Sequence, residues 1–159
     1  MSMKPKLYLE TSIISYLTAQ PSRDIVTAAR QQITREWWQK RREGFDLYVS
    51  EFVIAEARLG DIRAAELRLQ ALNDIALIQL AEDAALLAEE LVAKGPLPEK
   101  AALDALHIAA SVSAGVDYLL TWNFKHLANA AMRSKIEAIC RLRGYQPCII
   151  CTPEELLEE

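Results

Sequence analysis

Short apolar runs alternate with helical patterns along the whole chain, and this alternation limits the possible folds more than any other feature. The runs KLYLE, FDLYV, IALIQL, DYLLT and PCIIC each have the length and composition of a strand. A helix is predicted from about Ser22 to Glu43, where Val26, Ala29, Ile33 and Trp37 recur at helical spacing. Trp37 then belongs to the core, and Trp38, about 100° away, to a contact surface. Ser50 is placed to cap a helix EFVIAEARL, and Asp61 to cap the next, which carries Leu67, Leu69 and Leu72. Further helices are expected from about Glu82 to Lys94, from Pro98 to Ala114, and from about Ser134 to Arg143. TPEE, after the last strand, has the form of a capping box. Strands alternating with helices give an α/β fold, a mostly parallel central sheet between helical layers with right-handed crossovers. With 159 residues and no repeat or linker, residues 1–159 read as a single domain.

Several classes of function are excluded on simple grounds. The five glycines each follow a predicted helix, so none is left for a dinucleotide fingerprint or a phosphate-cradling loop. No apolar run approaches the roughly 20 residues of a membrane span, and Lys4 and Lys6 lead into a strand rather than a signal segment. A cytoplasmic address without membrane attachment is the expectation. The net charge of −4 argues against a bulk electrostatic grip on nucleic acid. Two local basic clusters remain, Arg35 with Lys40, Arg41 and Arg42, and Arg133 with Lys135, Arg141 and Arg143, whose plainer reading is as solvated helix faces. Cys148 and Cys151 form a C-x-x-C, but on a strand such residues point to opposite faces, so with Cys140 they read as small core hydrophobes.

The informative residues are acids in apolar surroundings. Glu10 sits between Leu7-Tyr8-Leu9 and Ile13-Ile14, and charges enter interiors only when paired or bound to a metal. From Ala101 to Val116, Asp104 is the only formally charged residue of a helix apolar on nearly all sides. A helix-terminus position or an ion pair with Lys100 would account for Asp104 without any function. Glu56 shares a helical face with Phe52, Val53 and Leu59, and a surface glutamate is its plain alternative. The topology weighs against coincidence, because ligands of such sheets bind at the carboxyl ends of the strands. Glu10 ends the first strand, Glu56 follows the second, Asn123 follows the fourth, and Asp104 lies near the start of a helix returning from that edge. Clustered carboxylates raise one another's pKa, and a hard divalent cation, Mg2+ or Mn2+, resolves the conflict. The two histidines, His107 and His126, complete no other catalytic constellation, and His107 reads as a satisfied core histidine.

Taken in order, LYLETSIISYL, SEFVIAEARLGD, DALHIAAS and DYLLTWNFKHLAN resemble the PIN domain, and within it the VapC-like toxins of bacterial toxin–antitoxin pairs. The resemblance implies a PIN-like three-layer α/β/α sandwich and a Mg2+- or Mn2+-dependent ribonuclease acting on RNA. It implies a homodimer neutralised by a cognate antitoxin. It also implies roles: Glu10, Glu56 and Asp104 as metal ligands, Asn123 in the position of the last acid, and Thr11 and Ser12 as adjoining substrate-binding hydroxyls. Glu10 and Asn123 depart from the family pattern, which usually has aspartate at the first place and often at the second.

Overall fold

The computed structural model describes residues 4–157. Strand β1 (Lys6–Leu9) occupies the centre of the sheet, where both faces are covered, and Leu7, Tyr8 and Leu9 have no exposed surface. It is joined by β2 (Asp46–Ser50), β3 (Ala76–Ile78), β4 (Tyr118–Leu120) and β5 (Ile149–Cys151) in the order β3-β2-β1-β4-β5. All four pairings are parallel, with Tyr8 opposite both Tyr48 and Leu119. Between the strands run α1 (Thr11–Thr18), α2 (Ile25–Lys40), α3 (Glu51–Ala57), α4 (Ile62–Leu72), α5 (Glu82–Ala93), α6 (Ala102–Ser113) and α7 (Ala130–Leu142). Helices α1 to α4 pack among themselves, as do α5, α6 and α7, giving the layers of an α/β/α sandwich.

Chain order moves from β1 outward to β2 and β3, then returns across the sheet to β4 and β5. The chain therefore leaves β1 and β4, which are neighbours, toward different layers. The gap between their carboxyl ends is a topological switch point, where sheets of this type hold ligands.

The elements differ from expectation in specific ways. Helix α1, unforeseen between the first strand and residue 22, forms because Glu10 caps it: the Glu10 carboxylate accepts the Ser12 N–H at 3.1 Å. Ile13 and Ile14 then turn fully into the core. The apolar spacing in α2 marks its buried face only in part: Trp37 is buried and Ile33 packs against the core, but Val26 is 55% exposed, and Gln31 and Thr34 also point inward. Gln31 is tolerated there because it bridges the preceding loop, accepting from Ser22 N–H and donating to the Gln20 carbonyl. Asn129 starts α7 at Ala130, four residues before the predicted Ser134. The capping box of TPEE is half realised: Thr152 N–H donates to Glu155, but the segment remains a turn. Trp37 is buried as expected, whereas Trp38 is half-buried with the Arg42 guanidinium 4.2 Å above its ring. Much of the basic charge is used internally, with Arg42 on Asp74, Arg141 on Glu137 and Arg143 on Glu90.

The three cysteines are free and buried. Burial pushes the Cys140 thiol up to about 11 and those of Cys148 and Cys151 to about 12. Thiols so raised are inert, in keeping with their reading as core residues.

Candidate active site

The backbone carries Glu10 to the switch point directly. Its N–H donates to the Leu120 carbonyl at 3.0 Å, extending the β1–β4 ladder by one step before α1 begins. The side chain is 6% exposed and enclosed by donors. Oε1 accepts from the hydroxyls of Ser12 at 2.6 Å and Thr121 at 2.5 Å, while Oε2 accepts from Ser12 N–H. Ser12 in turn accepts the Trp122 N–H, so the loops after β1 and β4 are tied together around this carboxylate. These donors hold the Glu10 carboxylate in one orientation.

Glu56 reaches the same place from α3, whose start is fixed by the Ser50 hydroxyl accepting the Phe52 N–H. Its Oε1 accepts from Thr11 Oγ1 at 2.5 Å and from His107 Nε2 at 2.6 Å. Burial pushes the Glu56 carboxyl up, but the hydrogen bonds from His107 and Thr11 outweigh it and leave it below the usual carboxylate range. Among the described residues Oε2 receives no hydrogen bond. Donor atoms of Glu10, Glu56 and His107 all lie within 4.8 Å of one another. The two carboxylates at that spacing suit a hard divalent cation such as Mn2+, while both ring nitrogens of His107 are engaged, one with Glu56 and the other with Tyr8.

Asp104 lies in the first turn of α6, one helical turn from His107, but outside that three-residue group. Its partners are Asn123 and His126 rather than Lys100: Asn123 Nδ2 donates to Oδ1 at 3.1 Å, and His126 Nδ1 is 3.0 Å from Oδ2. Asn123 Oδ1 accepts the N–H groups of Lys125 and His126, which sets the orientation of its amide. Asn123 N–H also donates to Thr121 Oγ1, the same oxygen that donates to Glu10. One hydrogen-bonded chain thus runs from Asp104 through Asn123 and Thr121 to Glu10.

All four residues singled out in the sequence therefore meet at one edge, in two groups: Glu10 with Glu56, and Asp104 with Asn123. Thr11 and Ser12 serve the carboxylates rather than opening to solvent, their hydroxyls donating to Glu56 and Glu10. The sequence reading missed Thr121 and the partnership of His107 and His126 with the acids. Neither partnership had a local signal, since His107 pairs with Glu56 and His126 with Asp104 across separations of 51 and 22 residues. A depression of about 260 Å³ near Cys140, Cys148 and Arg133 contains none of these residues. Of the acids, Glu10 is buried, whereas Glu56 and Asp104 keep part of their surface exposed.

Residues 7–130 match a family model described as the PIN domain. Among the curated proteins nothing matches. Of the solved structures, this chain is similar to VapC20 of Mycobacterium tuberculosis, described as a sarcin-ricin loop cleaving toxin. The TM-score is 0.60 at 16% identity, over 76% of this chain and 92% of that one. It is also similar to VapBC2 of Rickettsia felis, solved bound to a DNA fragment from their promoter. There the TM-score is 0.51 at 14% identity, over 92% of this chain and 97% of that one.

Proposed function

The chain belongs to the PIN-domain family, and from that premise we propose that it is a metal-dependent endoribonuclease, the toxin of a toxin–antitoxin pair. The observation that carries this reading is the convergence of buried Glu10 and half-buried Glu56 on one point at the switch between β1 and β4. Glu10, Glu56 and Asp104 are the proposed holders of Mg2+ or Mn2+, with Asn123 orienting water on the Asp104 side. A cation bound there would activate a water and stabilise charge on the scissile phosphate. This chain's own part is preorganisation. Thr11, Ser12 and Thr121 fix the two glutamates by hydroxyl donors, so little rearrangement is needed when charge arrives. The fold shared with a sarcin-ricin loop cleaving toxin and with VapBC2 bound to promoter DNA is in keeping with RNA as substrate and an antitoxin as partner. An antitoxin and a second copy in a homodimer complete the reading as partners, and Ile25, Leu59, Ile62 and Leu142 are exposed apolar side chains. We place the protein in the cytoplasm, in keeping with the absence of any helix among the described residues that could cross a membrane.

A second reading, a PIN-fold module that binds nucleic acid with weak turnover or none, is favoured by one observation. Asp104 is turned toward Asn123 and His126 and stands outside the group formed by Glu10, Glu56 and His107. Incubation of RNA with the purified protein and Mn2+, with EDTA and with Glu10→Gln as controls, separates the two. The first reading expects cleavage that both controls abolish. Binding of RNA without Mn2+-dependent cleavage would establish the second.

A further inference from the structure

We infer that His107, held from behind by Tyr8 and Ser50, is a positioning residue that sets the orientation of Glu56 for cation binding; the inference rests on the metal-dependent reading above. Four side chains from four elements form one line. Ser50 Oγ, at the end of β2, lies 2.7 Å from Tyr8 Oη, at the centre of β1. Tyr8 Oη lies 2.6 Å from His107 Nδ1, on α6, and His107 Nε2 lies 2.6 Å from Glu56 Oε1, on α3. Ser50, Tyr8 and His107 have no exposed surface.

The direction of the line follows from its two ends. A carboxylate only accepts, so His107 Nε2 carries a hydrogen and donates to Glu56. At the other end Ser50 Oγ already accepts the Phe52 N–H, so its own proton is free for Tyr8 Oη. Tyr8 then donates to Nδ1. This assignment leaves no buried donor unused, which is the usual condition of buried polar groups. Burial holds the Tyr8 phenol far above its usual pKa, consistent with a hydroxyl that keeps its proton.

A satisfied buried histidine needs no further role, and packing alone would explain its place. What points beyond packing is where the line ends. Both hydrogen bonds to Glu56 use Oε1, and the line meets the carboxylate within the 4.8 Å group that includes Glu10. With Oε1 pinned by Thr11 and His107, Oε2 is the oxygen left to a cation. Metal-binding carboxylates are commonly fixed by such outer hydrogen bonds, whose loss costs about 10–100-fold in metal affinity.

The test is Mn2+ binding itself, read by the paramagnetic resonance of free Mn2+, on the parent, His107→Leu and His107→Gln, with melting temperature measured in parallel. Leucine fills the space without an N–H, whereas glutamine keeps an amide donor at the reach of Nε2. Expected is a loss of about 10–100-fold in Mn2+ affinity for the leucine variant, most of it regained by glutamine. Should leucine prove too disruptive to fold, Tyr8→Phe, which deletes only the hydroxyl behind His107, must still weaken Mn2+ binding. Parental Mn2+ affinity in every folded variant, whatever the change in melting temperature, would reduce His107 to a packing residue and overturn the inference alone. A parent that binds no Mn2+ would overturn the metal-dependent reading as well.

Discussion

Asn123 shows how one atom changes the chemistry of a site. Its amide donates to Asp104, which an aspartate could not do, so Asn123→Asp sets two carboxylates against each other across 3.1 Å. The variant should lose about 1–3 kcal/mol of stability without metal, and Mn2+ should raise its melting temperature more than it raises the parent's. An equal shift in both proteins would place Asn123 outside any cation's reach. Asp104→Asn removes charge from the same pair and should abolish Mn2+-dependent cleavage while leaving thermal stability near that of the parent. Intact cleavage with lost stability would make Asp104 a structural acid. For Glu56 the pH sign is set by a folded-state pKa below the ordinary 4.5. The stability it contributes is present above the ordinary value and fades as pH falls through the depressed one. Metal-free protein should therefore lose stability below about pH 4.5 more steeply than Glu56→Gln does, as denaturation measured from pH 6 to pH 3 would show. Parallel curves would mean that His107 and Thr11 do not favour the charged carboxylate.

Helix boundaries and helix faces were legible to different degrees. Local signals placed the starts of α3 and α4, where Ser50 and Asp61 cap as expected. Helix α1 was hidden because its cap is a glutamate, an uncommon choice that reads as the end of a strand. The face of α2 was legible only in part, in Trp37 and Ile33, for a tertiary reason: Thr34 Oγ1 receives the indole N–H of Trp122 from the loop after β4, at 2.7 Å. Residues 88 positions apart cannot signal that contact through periodicity. Thr34→Val, nearly isosteric, should leave the buried indole unpaired and cost about 1–3 kcal/mol, seen as a lower urea midpoint at unchanged slope. Stability equal to the parent's would show that Trp122 finds another acceptor.

At the scale of the whole molecule, the site lies where two layers part, so it joins loops from both halves of the sheet. A ligand binding only the folded state at 100 times its dissociation constant adds about 2.7 kcal/mol, which for a domain of this size raises the melting temperature by roughly 5–10 °C. Mn2+ should produce such a shift, EDTA should reverse it, and Glu10→Gln should remove it. A shift that survives in Glu10→Gln would locate the cation elsewhere. The α/β class, a parallel sheet and the suspicion attached to Glu10, Glu56 and Asp104 were all determined by the sequence alone, because alternating patterns and an acid among apolar neighbours are local facts. Which acids share a point was decided only by the tertiary structure. Glu10 meets Thr121 and Glu56 meets His107 across separations of 111 and 51 residues. Those meetings depend on strand order, register and the packing of α3 against α6, and such long-range geometry leaves no periodic trace in the chain.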